Sequence, residues 1–434
     1  MIRWSMAAAV GMVLVSGAAA YAAGEEKTML EKATPEQQKL FGEAKPMILK
    51  EAAQKPLILG KSNESYFWVM SARMVPLVKA YHYSHDTAFL EAFVPIMEQV
   101  LSQRYVHPTK PEWSGWFEYD PGEEVNFRHL ALIDHDTILY YVPVLMFVQE
   151  VRADPKLKEK YGQKAEKWMK DVEASIRGWD KRGCWHDFPD GSGWYSCVTQ
   201  YPDPKTGELK KLDVLGAGGV VPYNKVHALF EALSLAYRLT GDEWYRGRME
   251  KCCKFFRAHW RQDDKHVEWN YRDHAFAGDY ESGVLGQGKT RTGAFVHPKG
   301  GYYALDVEGV VRAWDLGGFY KKEDIDKLIK TNLEFMWMGD EKDPRFKMIS
   351  GGYKAEEKYY KGYLWTSLAH FSPKVRELWK TQIELGRAAK QWMWWSNALD
   401  YLTEMSRPVS WDHRDKPAGN GGATQPAKGG AGGA

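Results

Sequence analysis

The sequence predicts an all-α fold: a closed ring of about six or seven helical hairpins, an (α/α) barrel with long loops on one face. Three observations predict it. Apolar residues recur at helical spacing through most of the chain, and strand-like alternation is scarce. The helices come in pairs joined by short turns. The long connections fall between one pair and the next, which in a ring brings them all to the same face.

The elements follow in order. An amphipathic segment over 35–53 precedes the pairs. A helix over 62–83 turns at Ser84-His85-Asp86 into a second that runs through Arg104. Residues 135–151 pair with 157–179 across Asp154-Pro155, and 223–239 pair with 243–260 across Thr240-Gly241-Asp242. Residues 303–316 pair with 322–338 across Gly317-Gly318, and a last pair turns at Ser372-Pro373 and ends near Met405. The elbows resemble one another: Lys79-Ala80-Tyr81 before Asp86, Leu235-Ala236-Tyr237 before Asp242, Arg312-Ala313-Trp314 before Gly317. A repeated elbow without polar capping repeats fits a closed ring better than an open solenoid.

The chain ends read differently. Arg3, an apolar run from Ala7 to Ala20 and the Ala20-Tyr21-Ala22 triplet make residues 1–22 a secretory signal, too short in its apolar part to span a bilayer. Residues 23–410 are expected to form the ring as one catalytic domain, and 411–434 a disordered Gly/Ala/Pro-rich tail. Secreted or periplasmic placement follows, with no membrane partner once the signal is cleaved. A net charge of +2 supplies no global field for nucleic acid, so an anionic ligand would be met by local clusters. Cys184, Cys197, Cys252 and Cys253 lack zinc-site spacing; the first two are spaced to close a loop, the second two read as buried small hydrophobes. No metal or cofactor is expected. The oligomeric state stays open.

Chemistry-bearing residues gather in the long connections. The stretch from Arg291 to Trp314 is a glycine-rich loop running into a helix, and it delivers Arg291, His297, Lys299, Tyr302 and Tyr303 to that helix's N-terminus. A cation, a histidine and two phenols can hold an anion and move protons beside it. The helix from Tyr223 opens with Asn224, His227 and Glu231 as a polar stripe, read as ligand-facing or as a histidine satisfied by Glu231. Arg128 and His129 lie in the densest polar cluster, where Asp136 caps the following helix. With 19 tryptophans, several fall in loops, and Trp116, Trp194, Trp269, Tyr271 and Arg272 are candidate sugar contacts. As carboxylate pairs, Glu123 with Glu124 and Asp306 with Glu308 are weighed; the second pair lies two apart on a helix and so faces different directions.

These features resemble the secreted (α/α) toroid enzymes that act on uronate polysaccharides, the alginate- and glucuronan-type lyases among them. The resemblance rests on the hairpin elbows, on Val221-Pro-Tyr-Asn224-Lys225, on Trp269-Asn-Tyr271 and on His297-Pro-Lys-Gly-Gly-Tyr302-Tyr303. It implies β-elimination on an acidic polysaccharide. Asn224 and Arg291 would neutralise the carboxylate, with Tyr302 (or its rival Tyr303) and His297 handling protons. Arg128, His129, His227, Trp116, Trp194, Trp269, Tyr271, Arg272 and Lys299 would bind substrate. A hydrolase or epimerase on the same scaffold, or a glycan-binding protein, are the alternatives.

Overall fold

A computed structural model of the chain describes residues 27–54, 65–116, 133–203, 205–211, 218–262, 266–273, 301–317, 319–347, 363–391 and 393–406. The signal segment, the tail and most of the long connections lie outside these residues.

The described chain is helical with three small two-stranded ribbons. Its helices are α1 (Met29–Lys32), α2 (Pro35–Ala52), α3 (Ser65–Ser84), α4 (Ala88–Ser102), α5 (Ile133–Asp136), α6 (Val142–Ala153) and α7 (Pro155–Lys181). There follow α8 (Tyr223–Thr240), α9 (Glu243–Ala258), α10 (Gly301–Asp315), α11 (Lys322–Lys330), a 3-10 helix (Thr366–His370), α12 (Pro373–Ala388) and α13 (Trp394–Ser406). A π-helical stretch, Thr137–Tyr141, joins α5 and α6 into one rod. The ribbons pair Trp185–Asp187 with Gly193–Tyr195, Gln200–Pro202 with Leu209–Lys211, and Arg261–Gln262 with Val267–Glu268, all antiparallel.

Elbow chemistry sets the hairpins. Asp154 caps α7 by accepting from Lys156 N at 2.8 Å, with Pro155 at the first helical position where no N–H is needed. Gly241 ends α8 at φ 70°, a left-handed conformation that glycine adopts without a Cβ clash, and Asp242 caps α9 through Trp244 N at 2.9 Å. Ser372 caps α12 with Pro373 behind it.

The ring closes. α3 packs on α6, α6 on α8, α8 on α10, α10 on the 3-10 helix, the 3-10 helix on α13, and α13 back on α3. Outside them sit α4, α7, α9, α11 and α12 as hairpin partners, and α2 behind α13. The fold is therefore an (α/α) toroid of six hairpins. The expected last pair is in fact two. The 3-10 helix with α12 makes one hairpin, and α13 takes its outer partner from the beginning of the chain. Ion pairs tie that closure: Lys380 to Glu36 at 2.9 Å, Arg387 to Glu43 at 3.3 Å, and Lys79 to Asp400 at 2.7 Å.

Each inner helix has an outer helix behind it and an inner neighbour on either side. Only its axial face is free. Partial exposure on an inner helix therefore marks the side chains that line the central cleft. In α3 the half-buried Trp68, Ala72, Val75 and Lys79 recur at helical spacing while Phe67, Met70, Met74, Leu77 and Val78 are buried. That stripe leads from the start of α3 down to Lys79.

Candidate functional site

The floor of the cleft holds an ionic cluster built from five of the six inner helices. Arg312 of α10 bonds Glu231 of α8, lies 3.4 Å from Glu308 one turn earlier on its own helix, and lies 3.0 Å from Glu404 of α13. His370, at the end of the 3-10 helix, meets the other oxygen of Glu404 at 2.9 Å. Lys79 of α3 holds Asp400, one turn above Glu404. Glu308 and Glu404 share the same guanidinium nitrogen and so stand within two hydrogen-bond lengths of each other.

Four carboxylates thus face two permanent cations. Burial disfavours the Arg312 charge, but Glu231, Glu404 and Glu308 outweigh it and keep the guanidinium protonated. Lys79 is held charged in the same way against burial by Asp400. Burial pushes the Glu308 carboxyl above its ordinary range; Arg312 and Lys79 oppose this, and the carboxylates of Glu231 and Glu404 reinforce it. Accessibility is graded along the axis. The Glu308 side chain is 41% accessible and Arg312 11%; Asp400 is 40% and Glu404 15%. On both helices the residue nearer the loop face is the open one. Glu308 and Asp400 therefore look into the cleft, while Arg312, Glu404 and His370 form its base.

A second constellation lies higher, between α8 and α10. His227 Nδ1 meets Asp306 Oδ1 at 2.8 Å, and Trp269 Nε1 donates to Asp306 Oδ2 at 2.7 Å. All three are buried. Tyr303 is buried against Trp269, its hydroxyl 3.4 Å from the Trp269 carbonyl. The Tyr223 hydroxyl donates to Asp273 at 2.7 Å, and Tyr223 N to the Tyr271 carbonyl at 3.1 Å. These bonds fasten residues 267–273 to the starts of α8 and α10. Gly309 allows the two helices to meet, since a Cβ there would stand 2.6 Å from His227 Cβ.

The sequence-expected residues divide accordingly. Asn224, His227, Trp269, Tyr271, Tyr302 and Tyr303 do come together, because α8 and α10 are ring neighbours. Asn224, His227, Trp269 and Tyr303 are interior, and Tyr302 packs on Tyr271 with ring centres 5.9 Å apart. Trp116 and Trp194, expected as exposed loop rings, are also buried, donating to the Val100 and Val221 carbonyls, each at 2.8 Å. Arg272 is half-buried beside Tyr271. Arg128, His129, Arg291, His297, Lys299, Glu123 and Glu124 lie outside the described residues. All four cysteines are buried and none forms a disulfide, so Cys184 and Cys197 do not close a loop here. No group of described residues has the makings of a metal site, and no described helix is long and apolar enough to cross a membrane.

Glu231 was an expected partner of His227; the histidine's partner is Asp306, and Glu231 belongs to Arg312. Lys79, Arg312, Asp400 and Glu404 were not among the expected site residues. The available signal was a charge such as Lys79 between the apolar Leu77-Val78 and Ala80 of a helix.

No family model and no curated protein matches the chain. Solved structures do. The α-1,6-mannanase of Salegentibacter sp. HEL1_6, a family 76 glycoside hydrolase seen with α-1,6-mannotetrose, is 11% identical with a TM-score of 0.47, over 84% of this chain and 98% of that one. A family 76 mannosidase of Bacteroides thetaiotaomicron is 9% identical with a TM-score of 0.41, over 74% and 70%. Both are glycoside hydrolases, and the expectation of an alginate- or glucuronan-type lyase is corrected. Of the two expected phenols, Tyr303, the rival of Tyr302, is also ill-suited to act as a base. Burial, with the nearby Asp306 carboxylate, drives its phenol far above the ordinary range, the opposite of what a phenolate base requires.

Proposed function

We propose that the chain is a glycoside hydrolase acting on a polysaccharide in the central cleft of the toroid. The observation that carries this reading is the pair Glu308 and Asp400. They are the two most accessible carboxylates of the cleft floor, and their partners differ. Glu308, enclosed by the ring and flanked by Glu231 and Glu404, keeps its proton to a higher pH and suits a general acid. Asp400, held by the Lys79 ammonium at 2.7 Å, suits the anionic partner that activates water or meets the anomeric carbon. Arg312 and His370 fix Glu404 and Glu231 and so keep the excess negative charge in place.

The substrate favoured is neutral. Among the described residues, carboxylates outnumber permanent cations at the cleft floor, which repels a polyanion. Incubation with neutral and uronate polysaccharides tests this. The expected result is release of reducing ends from a neutral glycan without the near-ultraviolet absorbance of an unsaturated uronate. Appearance of that absorbance, or full activity in Glu308→Gln, would overturn the assignment.

A further inference from the structure

Resting on the hydrolase reading, the geometry points to exo action: we infer that the enzyme takes the end of a glycan chain into a blind pocket and removes units from it. The first observation is depth. Glu308 lies two turns into α10, about 10 Å below that helix's start at ~1.5 Å per residue, and is enclosed by a closed ring of six inner helices. A polymer lying across the loop face cannot bend both strands down such a shaft to reach it. A chain end can.

The second observation is the closed floor. Accessibility falls from Glu308 to Arg312 and from Asp400 to Glu404, a turn deeper on each helix. His370 is as enclosed as Arg312, and its bond to Glu404 joins the 3-10 helix to α13 beneath the two open carboxylates. One turn below Lys79, at the elbow end of α3, His82 is again 35% accessible, so the enclosed layer of Arg312, Glu404 and His370 is a plug between the two faces. The gradient describes a pocket with one mouth.

The third is the wall. Above Lys79 the axial stripe of α3 carries Val75, Ala72 and Trp68, and the half-buried faces of α6 and α8 add Val142 and Ala228. These side chains are small or flat and bear no charge. They leave room for a pyranose and offer apolar surface to its C–H faces, with Trp68 nearest the mouth. In the reaction the glycosidic C–O bond breaks and Glu308 gives its proton to the leaving oxygen. Water adds its hydroxyl to the anomeric carbon, and its remaining proton goes to the carboxylate side.

The test uses the full chain. Hydrolysis of each neutral polymer of the incubation is followed by viscosity and by product size together. The expected result is one small product from the first minutes, with viscosity falling slowly as reducing ends accumulate. In parallel, Glu308→Gln is titrated calorimetrically with manno-, gluco- and galacto-oligosaccharides of about six units, free or capped at both terminal rings. Capped chains are expected to bind at least about tenfold more weakly. An early ladder of mid-length products, or equal binding of capped chains, overturns the exo inference and leaves the hydrolase reading standing. Absence of both cleavage and binding throughout overturns the hydrolase reading and the inference with it.

Discussion

Asp306 accepts from two buried groups at once, His227 Nδ1 at 2.8 Å and Trp269 Nε1 at 2.7 Å, and so joins two inner helices to the loop above them. Replacing it removes one carboxylate and strands two donors. Asp306→Ala is expected to cost about 3–5 kcal/mol, the usual result of breaking a buried pair from one side. Asp306→Asn, which keeps one acceptor, should cost less. Chemical denaturation followed by tryptophan fluorescence measures both; a loss under about 1 kcal/mol for Asp306→Ala would remove the staple from the account.

Gly309→Ala should destabilise by about 1–3 kcal/mol, because α10 would have to move away from His227. The readout is the denaturation midpoint at unchanged slope. An unchanged midpoint would mean that the α8–α10 contact is looser than described.

Glu308→Gln is expected to lower kcat by ~10²–10⁴-fold while the protein stays folded. Stability should respond to pH as well. The folded state raises the Glu308 pKa, so the unfolded chain loses its proton first as pH rises, and stability falls from the unfolded pKa up through the folded one. Gln stays neutral throughout. The variant should therefore match wild type at acid pH and exceed it in Tm at neutral pH. A variant less stable at neutral pH would contradict the burial assigned to this carboxyl.

Arg312→Lys is not a mild change here. One guanidinium spans Glu231, Glu308 and Glu404, and an ammonium cannot reach all three in the same geometry. Both variants, Arg312→Lys and Arg312→Leu, should lose activity, and Arg312→Leu should lose about 3–5 kcal/mol as well. Wild-type activity in Arg312→Lys would show that the carboxylates need only charge, not placement.

Tyr303→Phe is expected to retain near wild-type turnover, since its hydroxyl is buried and reaches only a backbone carbonyl at 3.4 Å. A loss beyond about tenfold in kcat would return the phenol to the chemistry.

Helical spacing, the elbow residues and the lengths of the connections were enough to reach a ring, because these are local properties of the chain. Asp154-Pro155, Gly241-Asp242 and Ser372-Pro373 end or begin helices through caps and φ preferences that depend on a few neighbours. The opposed directions of Asp306 and Glu308 were equally legible, as two residues apart on a helix diverge by about 200°. The candidate site was not. Loop tryptophans such as Trp116, Trp194 and Trp269 carry the same letters whether they stack on a sugar or, as here, turn inward to a carbonyl or to Asp306.

By itself the sequence determined most of the helices, the pairing of the first four hairpins and the neighbourhood of Asn224 with Tyr302. Only the tertiary structure decided that α13 finds its outer partner in α2, and that Lys79, Glu231, Glu308, Arg312, Asp400 and Glu404 share one cleft floor. Those six residues span more than three hundred positions of chain. Closure of the ring is what makes them neighbours, and enclosure beside Glu231 and Glu404 is what raises the Glu308 carboxyl above its ordinary range.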